Sequence, residues 1–436
     1  MLSGCHYHDD QSCPSCPLLS LPYADQLSLK AEAARRDILA ASGDFVWLPP
    51  VASPQFNIRN VTKMVVSGTV ANPILGLPPS FAKSNHSAVA DSSAVADSSA
   101  AIEMELSPNF GVDLTDCPLY LPAIRAAFPA LKAFITQAQL VPYDLTPRKG
   151  RTTPKAAATR GELKNVFITA SPDDELMIQF VLRSRADEAR IRSRLPALLS
   201  ALPNLRVVSL NIHPEHKAVV AGSQNIVLTA QASLPFRLPG FTLFVGPGSF
   251  FQTNTVVAAA LYAEAKEWLQ SQTLANDYPA NTAGSLSTVW DLFSGIGGFA
   301  LALAAPNRQV TGVEIAEPAI ANALLAKAEL ATRPDVISQQ AASGLDFVAD
   351  DAFQFAETRN PPAVIVVNPP RRGLGSYLAT WLNQANVPII LYSSCNPTTL
   401  SKDLLAMQNY QVIKARAFDM FPGSDHLEVL ALLARK

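Results

Sequence analysis

The sequence has few cysteines, no long apolar run and no excess of one charge. Its five cysteines are an odd number, which argues against a complete disulfide set and favours free thiols in a reducing compartment. No stretch approaches the roughly 18–20 apolar residues of a membrane span, so none is predicted. A formal net charge of −2 indicates no global attraction to nucleic acid or membrane, although a local basic face suffices for RNA. The first residues are polar and lack a secretion signal, so we expect a soluble cytoplasmic protein.

Changes of composition along the 436 residues predict three parts. Residues 1–50 combine a cysteine cluster with a helix predicted at 26–41. Residues 51–245 are rich in short predicted strands, which indicates a central α+β domain. Within that domain, residues 84–100 are a polar tandem repeat that cannot bury enough apolar surface to fold, so we expect a disordered insertion. Residues 246–436 form the third part.

The third part alternates apolar strands with helical stretches. The strand-like runs TVWDLF, QVTGVEI, PAVIVV and VPIILY are each followed by a turn residue. Such alternation predicts a parallel sheet covered by helices on both faces. The last two runs, QVIKARAFDMF and HLEVLALLA, leave no room for a helix between them, so we expect an antiparallel hairpin at the end of the sheet. This α/β pattern is typical of class I (Rossmann-like) methyltransferases, and nucleotide dehydrogenases usually lack the hairpin.

A glycine-rich turn follows the first of these strands in WDLFSGIGGFALALA. Gly295 and Gly297 allow a ligand to approach the backbone, and the following helix offers free N–H groups. Glu314, nineteen residues beyond Gly295, ends the next strand, where a carboxylate can bind two ribose hydroxyls. The spacing Gly295-x-Gly297-x-x-Ala300 also fits a relaxed dinucleotide pattern, so a nicotinamide dehydrogenase remains an alternative.

The stretch VVNPPRRGLG favours a methyltransferase over a dehydrogenase. Proline cannot donate to a strand ladder, so Pro369 and Pro370 after Asn368 predict a rigid loop where the strand ends. In methyltransferases, Asn-Pro-Pro loops line the place where a planar amine or base meets the methyl donor. A dehydrogenase has no evident use for this loop.

Cys395 lies in LYSSCNPTTL and is the only cysteine after Cys117. Taken alone, a single cysteine at the end of a strand is more often a small buried hydrophobe than a nucleophile. The Asn-Pro-Pro loop one strand earlier and the acid-bearing hairpin downstream favour the nucleophile.

Six motifs together resemble the RNA uracil-5-methyltransferases that use S-adenosylmethionine. They are FFQTN, DLFSGIGGF, GVEIA, NPPRRG, YSSCN and DMFPGSDHLEVL. The resemblance spans nearly the whole chain apart from residues 84–100 and part of 150–159. The absence of a TRAM domain, the segment FNIRNVTKMVVSG and the Asn of NPPRR are most similar to the branch that acts on 23S rRNA, at a uridine of the position-747 type. The chain departs from the family at Ser294, often Cys, and at Gly423-Ser424, often His-Thr, where we expect a looser loop.

The resemblance implies a catalytic pair, Cys395 and Glu428. Carbon 5 of uracil is a poor nucleophile until a thiolate adds to C6 and turns the ring into an enolate. A base must then remove the C5 proton so that the thiolate can leave. Cys395 matches the family's nucleophile and Glu428 its general base. For His426, a structural hydrogen bond and a chemical role remain equally open.

The same resemblance implies the residues that bind the methyl donor, S-adenosylmethionine. They are Gln252, Phe293, Glu314 and Asn368, beside the glycine turn at Gly295. Asp351, in VADDAFQFA, is placed to accept a hydrogen bond from the adenine amino group, or else is an ordinary helix-capping acid.

Four further cysteines, Cys5, Cys13, Cys16 and Cys117, form a candidate metal site. Their spacing suits tetrahedral zinc and equally a [4Fe–4S] cluster. The spacing alone does not distinguish zinc from an iron–sulfur cluster, and the family resemblance favours the iron–sulfur cluster. Such a site would join the N-terminal segment to the central domain.

The implied partner is 23S rRNA, at a loop or single-stranded uridine that can be extruded from its stack. We expect an RNA-binding central domain, a monomer, and no DNA or membrane partner. Candidate phosphate contacts are Arg59, Lys63, Arg148, Lys149, Arg151, Lys155, Arg160 and Lys164. The alternatives are the same chemistry on another RNA pyrimidine (another rRNA site or tRNA), or a catalytically vestigial iron–sulfur RNA-binding protein.

Overall fold

A computed structural model describes residues 4–78, 111–143, 161–215, 221–274 and 288–436. The chain divides into two compact units, Met1–Ser20 with Arg59–Leu234 (unit 1) and Leu21–Ile58 with Pro235–Lys436 (unit 2). The polar repeat at 84–100 lies outside the described residues, as do residues 146–160 of the basic loop.

The elements are numbered here in chain order. The helices are α1 (His6–Asp9), α2 (Tyr23–Ser42), α3 (Pro122–Gln137), α4 (Glu188–Ala201), α5 (Thr255–Leu274), α6 (Gly298–Leu303), α7 (Glu317–Ala331), α8 (Val336–Ser343), α9 (Ala352–Glu357), α10 (Ser376–Gln384) and α11 (Pro397–Ala406). The strands are β1 (Val46–Val51), β2 (Val61–Gly68), β3 (Pro73–Leu77), β4 (Val112–Asp113), β5 (Leu163–Ala170), β6 (Leu176–Leu182), β7 (Leu205–Ile212), β8 (Gln224–Val227), β9 (Leu234–Leu238), β10 (Phe241–Val245), β11 (Thr288–Leu292), β12 (Gln309–Glu314), β13 (Leu345–Ala349), β14 (Val364–Val367), β15 (Ile389–Ser394), β16 (Tyr410–Phe418) and β17 (Glu428–Arg435). Among the described helices, none is both long and apolar enough to cross a membrane.

Unit 1 is built on a sheet of order β4-β3-β2-β5-β6-β7-β8. Its strands pair antiparallel except β6 and β7, which run parallel. Helices α3 and α4 supply the apolar residues Phe128, Leu131 and Ile191 to the core on one face of this sheet. The β6-α4-β7 connection explains the parallel pair, because a helical crossover brings the chain back in the same direction.

Unit 2 is built on a sheet of order β1-β16-β17-β15-β14-β11-β12-β13. Strands β13, β12, β11, β14 and β15 run parallel, and β17 enters antiparallel between β15 and β16. Helices α2, α9, α10 and α11 cover one face, while α5 contacts β17 and α6 contacts β11. The predicted Rossmann-like fold, with an antiparallel hairpin formed by the last two strands, is therefore confirmed.

The outer edge of this sheet differs from the prediction. The hairpin does not end the sheet, because β1 pairs in parallel with β16, in the register Val46↔Lys414. Strand β1 contains Pro49 and Pro50, which an edge strand accepts because one side of its backbone has no ladder partner.

The observed units also differ from the predicted boundaries at residues 50 and 245. The helix predicted at 26–41 is α2, and its Ala31, Ala34 and Ile38 are buried in the core of unit 2. The described residues before Leu21 belong instead to unit 1, and β10 with its partner β9, apart from Leu234, belongs to unit 2. An amphipathic helix shows which of its faces is buried but not which sheet it covers.

Candidate active site

The carboxyl ends of β11, β14 and β15 lie at the same edge of the unit 2 sheet, because these strands are parallel neighbours. The glycine turn follows β11, the Asn-Pro-Pro loop follows β14, and Cys395 follows β15. In open α/β sheets ligands bind at this edge, so the topology brings together the predicted donor loop and the predicted nucleophile.

The glycine turn has a backbone that only a few residue types adopt easily. Gly295 and Gly297 have φ values of 54° and 87°, and Phe293 has a φ of 65°, which is unfavourable for a bulky side chain. A Cβ placed on Gly295 would meet no atom within 4 Å, so the space above this residue is open. The turn therefore leaves room for a ligand to lie against the backbone.

Glu314 closes the glycine turn from the neighbouring strand. Its Oε2 accepts a hydrogen bond from the Gly295 N–H at 3.1 Å, and its Oε1 accepts one from the Ala316 N–H at 3.0 Å. The carboxylate thus lies at the end of β12 beside the turn, where the sequence predicted it.

The other candidate donor-binding residues lie in three places. Asn368 directly follows β14, and its N–H donates to the Leu292 carbonyl at 3.4 Å. Gln252 is buried ahead of α5. Asp351 caps α9, since its Oδ1 accepts from the Phe353 and Gln354 N–H groups at 3.0 and 3.1 Å. The helix-cap interpretation of Asp351 is therefore correct, and a contact with the donor stays a prediction.

Arg371 contacts the candidate nucleophile. Burial raises the pKa of the Cys395 thiol above its ordinary value, and the Glu428 charge raises it further. The Arg371 guanidinium lowers this pKa through its charge and through a hydrogen bond to the sulfur. Since thiolate is the reactive form, Arg371 favours the reactive state of Cys395.

Glu428 lies opposite Cys395 on the neighbouring strand. Strands β15 and β17 pair antiparallel up to Ser394↔Val429, so one further step of the register places Cys395 opposite Glu428. The Ser393 hydroxyl donates to Glu428 Oε1 at 2.5 Å, which is the diagonal contact expected between such strands. The predicted nucleophile and base are thus on one face of the sheet.

The Glu428 carboxyl is only 1% exposed. Burial raises its pKa to about 7, and the hydrogen bond from Ser393 opposes this rise. A carboxyl that titrates near neutral pH can both accept and release a proton, as a general base must.

Asp291, at the start of the motif DLFSGIGG, is a second buried acid on the same face. Its Oδ2 accepts from the Ala300 N–H at 2.9 Å and so joins β11 to α6. Its Oδ1 is buried and has no hydrogen-bond partner among the residues that the structure describes. Burial raises its pKa to about 7, and the charge of Glu314 raises it as well, while the Ala300 N–H lowers it.

Asp403, on α11, fixes the Asn-Pro-Pro loop. Its Oδ2 accepts from the Leu374 N–H at 2.8 Å and from the Tyr392 hydroxyl at 2.6 Å. It thereby joins the loop after β14 to strand β15, which ends at the nucleophile.

The loop before Glu428 is held by two hydrogen bonds. The Gly423 N–H donates to Gln26 Oε1 at 3.0 Å, and the Ser424 hydroxyl donates to the Phe421 carbonyl at 2.9 Å. A loop looser than in relatives with His-Thr at Gly423-Ser424 stays a prediction. His426 precedes β17, its side chain is 46% exposed, and its Nδ1 lies 3.5 Å from Asp425.

The four N-terminal-site cysteines gather at one core in unit 1. Cys5 is buried there, and Cys13, Cys16 and Cys117 pack against the same core. Burial raises the pKa of the Cys16 thiol, and the charges of the three other thiols raise it further. Within the described ranges, however, no three His, Cys, Asp or Glu side chains converge as ligands of a metal ion. The structure thus brings the donors together without a closed coordination shell.

Of the candidate RNA-binding cations, three are among the described residues. Lys63 lies 5.4 Å from the Phe167 ring centroid. Lys164 donates to the carbonyls of His213 and Glu215, at 3.0 and 2.7 Å. Burial raises the pKa of the Cys117 thiol to about 11, and the charge of Arg59 opposes this rise. Arg148, Lys149, Arg151, Lys155 and Arg160 lie outside the described residues.

One cavity of about 670 Å³ lies in unit 2. It is lined by residues of the β9–β10 turn, α5, α6 and α8, such as Gly240, Lys266 and Ile337. It contains none of the predicted site residues, so the candidate active site rests on the loops at the sheet edge.

Sequence relatives decide the family. A family model described as tRNA (Uracil-5-)-methyltransferase matches residues 247–436. The 23S rRNA (uracil(747)-C(5))-methyltransferase RlmC of Actinobacillus pleuropneumoniae serotype 3 (strain JL03) is 38% identical over 447 residues, with 100% of both chains covered. The chain belongs to the RNA uracil-5-methyltransferase family. The resemblance inferred from the six motifs is confirmed, and the dehydrogenase alternative is excluded.

A second relative agrees with this assignment, and a solved structure shares the fold. The protein of the same name from Escherichia coli O17:K52:H18 (strain UMN026 / ExPEC) is 38% identical over 433 residues and covers 99% of each chain. The Pyrococcus abyssi tRNA (uracil-54, C5)-methyltransferase, solved in complex with S-adenosyl-L-homocysteine, has a TM-score of 0.67 at 21% identity. That likeness covers 97% of this chain and 85% of the other, and it supports the fold.

Sequence reasoning missed the residues that hold the pair in place. Arg371 was visible in NPPRRG and Ser393 in YSSCN, but their partners follow only from strand register and loop geometry. Polar residues directly beside a predicted nucleophile are the signal that could have indicated them.

Proposed function

We propose that this chain transfers a methyl group from S-adenosylmethionine to C5 of a uridine in 23S rRNA, of the position-747 type. The observation that carries the proposal is the placement of Cys395 opposite Glu428 at the sheet edge, beside the glycine turn. The names of the relatives at 38% identity over the full chain support the 23S rRNA substrate and the position.

Cys395 starts the reaction by forming a bond from its sulfur to C6 of uracil, which makes the ring an enolate with a nucleophilic C5. Arg371 assists by favouring the thiolate over the thiol. The donor, when bound, supplies an electrophilic methyl group, which C5 takes as the methyl–sulfonium bond breaks and S-adenosylhomocysteine leaves. Glu428 then removes the C5 proton, the C5–H electrons restore the C5=C6 double bond, and the C6–S bond breaks.

The donor site proposed here lies along the loops after β11, β12 and β14. Gly295 leaves open space for the ligand, and Phe293 lies in the same turn. Glu314 is placed to accept from the ribose hydroxyls. Asn368 and Gln252 are assigned to the donor, and Asp351 to the adenine amino group, by analogy with the family. The complex of the Pyrococcus abyssi protein with S-adenosyl-L-homocysteine supports this choice of cofactor.

We also propose a [4Fe–4S] cluster held by Cys5, Cys13, Cys16 and Cys117. Four soft sulfur donors at one core fit the ligand set of such a cluster. The cluster would supply a structural cross-link between residues 4–20 and the segment around Cys117, with no part in methyl transfer. Anaerobically purified protein should show broad visible absorbance, iron and acid-labile sulfide, all lost in Cys117→Ser. Zinc without iron in the wild type would refute the cluster.

The RNA partner is proposed to present an unstacked uridine, because a stacked base cannot reach Cys395. The basic residues of unit 1, with Lys63 and Arg59 among them, are the candidate contacts to phosphate. We propose a cytoplasmic location for this protein, because its proposed substrate is ribosomal RNA. A monomer is sufficient, since the two proposed catalytic residues come from one chain.

A 5-fluorouridine trap tests the reaction and the substrate together. A 23S rRNA fragment with 5-fluorouridine at the target position, incubated with protein and S-adenosylmethionine, should give a shifted band on a denaturing gel, because fluorine cannot leave as a proton. Cys395→Ala should give no such band. A wild type without a band would refute the thiol mechanism, and a stronger band with 5-fluorouridine tRNA than with the rRNA fragment would refute the rRNA assignment.

A further inference from the structure

A lysine buried in unit 2 has no role in the chemistry described so far. The side chain of Lys30, on α2, is only 2% exposed, and that of Asp419 is 0% exposed. Their charged atoms lie 2.5 Å apart. Charged groups are almost never buried so completely unless they are paired, and pairing alone rarely adds stability. The position of this ion pair in the chain indicates another use.

Lys30 holds both ends of the loop that leads to Glu428. Besides Asp419, which directly follows β16, its Nζ donates to the Phe421 carbonyl at 3.1 Å and to the His426 carbonyl at 3.2 Å. All three donors of the ammonium are thus used. His426 lies two residues before Glu428, so the last of these bonds fixes the backbone where β17 begins.

Two other residues of α2 hold the same loop. The Tyr23 hydroxyl donates to Asp419 Oδ2 at 2.8 Å, and Gln26 Oε1 accepts from the Gly423 N–H at 3.0 Å. Residues at positions 23, 26 and 30 lie on one face of a helix, so α2 presents a continuous polar stripe to this loop.

We propose that Lys30 is a positioning residue for proton removal from C5: by binding Asp419, Phe421 and His426 it sets the place of the Glu428 carboxylate relative to Cys395. This inference rests on the proposed function. It predicts that loss of Lys30 slows the second half of the reaction more than the first, because thiol addition and methyl transfer do not need the base.

The test measures the two halves separately on a 23S rRNA fragment with [5-³H]uridine at the target. Tritium release reports proton removal, and a denaturing gel reports the covalent adduct that accumulates when elimination stalls. In Lys30→Met we expect the rate of tritium release to fall about tenfold or more. This is part of the roughly 10²–10⁴-fold rate enhancement that a general base contributes. The adduct, scarce in the wild type, should accumulate. Arg35→Met is the matched control, since Arg35 is an exposed cation on the same helix that contacts Glu32.

Lys30→Met leaves Asp419 buried without its cation, so a second variant separates folding from positioning. Lys30→Met with Asp419→Asn removes both charges and keeps a partner for Tyr23, yet the carbonyls of Phe421 and His426 still lose their donor. Adduct accumulation in this folded double variant would support the proposal. Two results would overturn it. One is unchanged tritium release, and the other is tritium release that falls only in proportion to the unfolded fraction, without adduct. Absence of tritium release in the wild type would instead refute the proposed function.

Discussion

The Ser393 hydroxyl donates to the Glu428 carboxylate across β15 and β17 at 2.5 Å, and this bond joins the residue two before the nucleophile to the base. Both strands are buried on both faces near this point. Ser393 and Glu428 are therefore built into the rigid sheet, directly beside Cys395, and rigid elements give a reacting pair its geometry.

Replacing Glu428 with Gln should stop the reaction after methyl transfer. The amide keeps an acceptor for Ser393 but cannot take the C5 proton, so a covalent adduct with ordinary uridine RNA should accumulate. Turnover should fall by roughly 10²–10⁴-fold. A denaturing gel with [methyl-³H]-labelled donor measures both effects. Cys395→Ser in the Glu428→Gln background is the control and should give no adduct; labelled adduct there would contradict the assignment of the nucleophile.

Replacing Arg371 with Met should raise the pKa of the Cys395 thiol, because the guanidinium lowers it. At a fixed pH below that pKa, the thiolate fraction falls about tenfold for each unit of increase. Alkylation of Cys395 by iodoacetamide, followed by mass spectrometry across a pH series, should show a profile displaced to higher pH. Arg372→Met, in the same exposed loop, is the matched control, and an equal displacement there would count against a specific contact.

The pH dependence of stability should reveal the buried carboxyl of Glu428. Its pKa is raised to about 7 from an ordinary 4.5, so between these values the folded state binds the proton more tightly than the unfolded state does. The contribution to folding is therefore lost as pH rises from about 4.5 to 7, and it amounts to on the order of 3 kcal/mol. The amide of Glu428→Gln does not titrate. The melting temperature of this variant should therefore rise relative to that of the wild type between pH 5 and pH 8. A difference in melting temperature between Glu428→Gln and the wild type that stays constant across this pH range would refute the raised pKa.

Gly295→Ala should weaken donor binding more than it weakens folding. The added methyl group enters open space, so the cost is mainly that of a left-handed residue, roughly 1–2 kcal/mol. The same methyl group occupies the space assigned to the ligand, and calorimetry should show S-adenosylhomocysteine binding at least about tenfold weaker, or 1.4 kcal/mol. Gly240→Ala is the matched control, with positive φ and open space in the β9–β10 turn. Equal affinities in the two variants would move the donor site elsewhere.

The sequence was sufficient for the parts of unit 2 that local patterns specify. Strands β11, β12, β14 and β15 were found because each is a short apolar run that ends at a turn residue. The roles of Cys395 and Glu428 were inferred because YSSCN and DMFPGSDHLEVL resemble motifs of the family, and they stay proposals. These signals are local in the sequence, and tertiary context does not override them.

The parts that were missed depend on distant contacts. Strand β1 carries two prolines, and only its position at the sheet edge makes it acceptable. Lysine side chains are rarely buried, and the burial of Lys30 in α2 depends on Asp419, almost four hundred residues later. No pattern within α2 indicates that Lys30 has an ion-pair partner near the C-terminal end of the chain.

The pairing of Val46 with Lys414 has a consequence for how the protein is made. During synthesis β1 leaves the ribosome early, whereas β16, its partner, is among the last strands to appear. At about 5–20 residues per second, the wait is roughly 20–70 seconds. The same delay applies to Lys30 and Asp419. The methyltransferase sheet can acquire its outer edge, and Glu428 its support, only when translation of the chain is nearly finished.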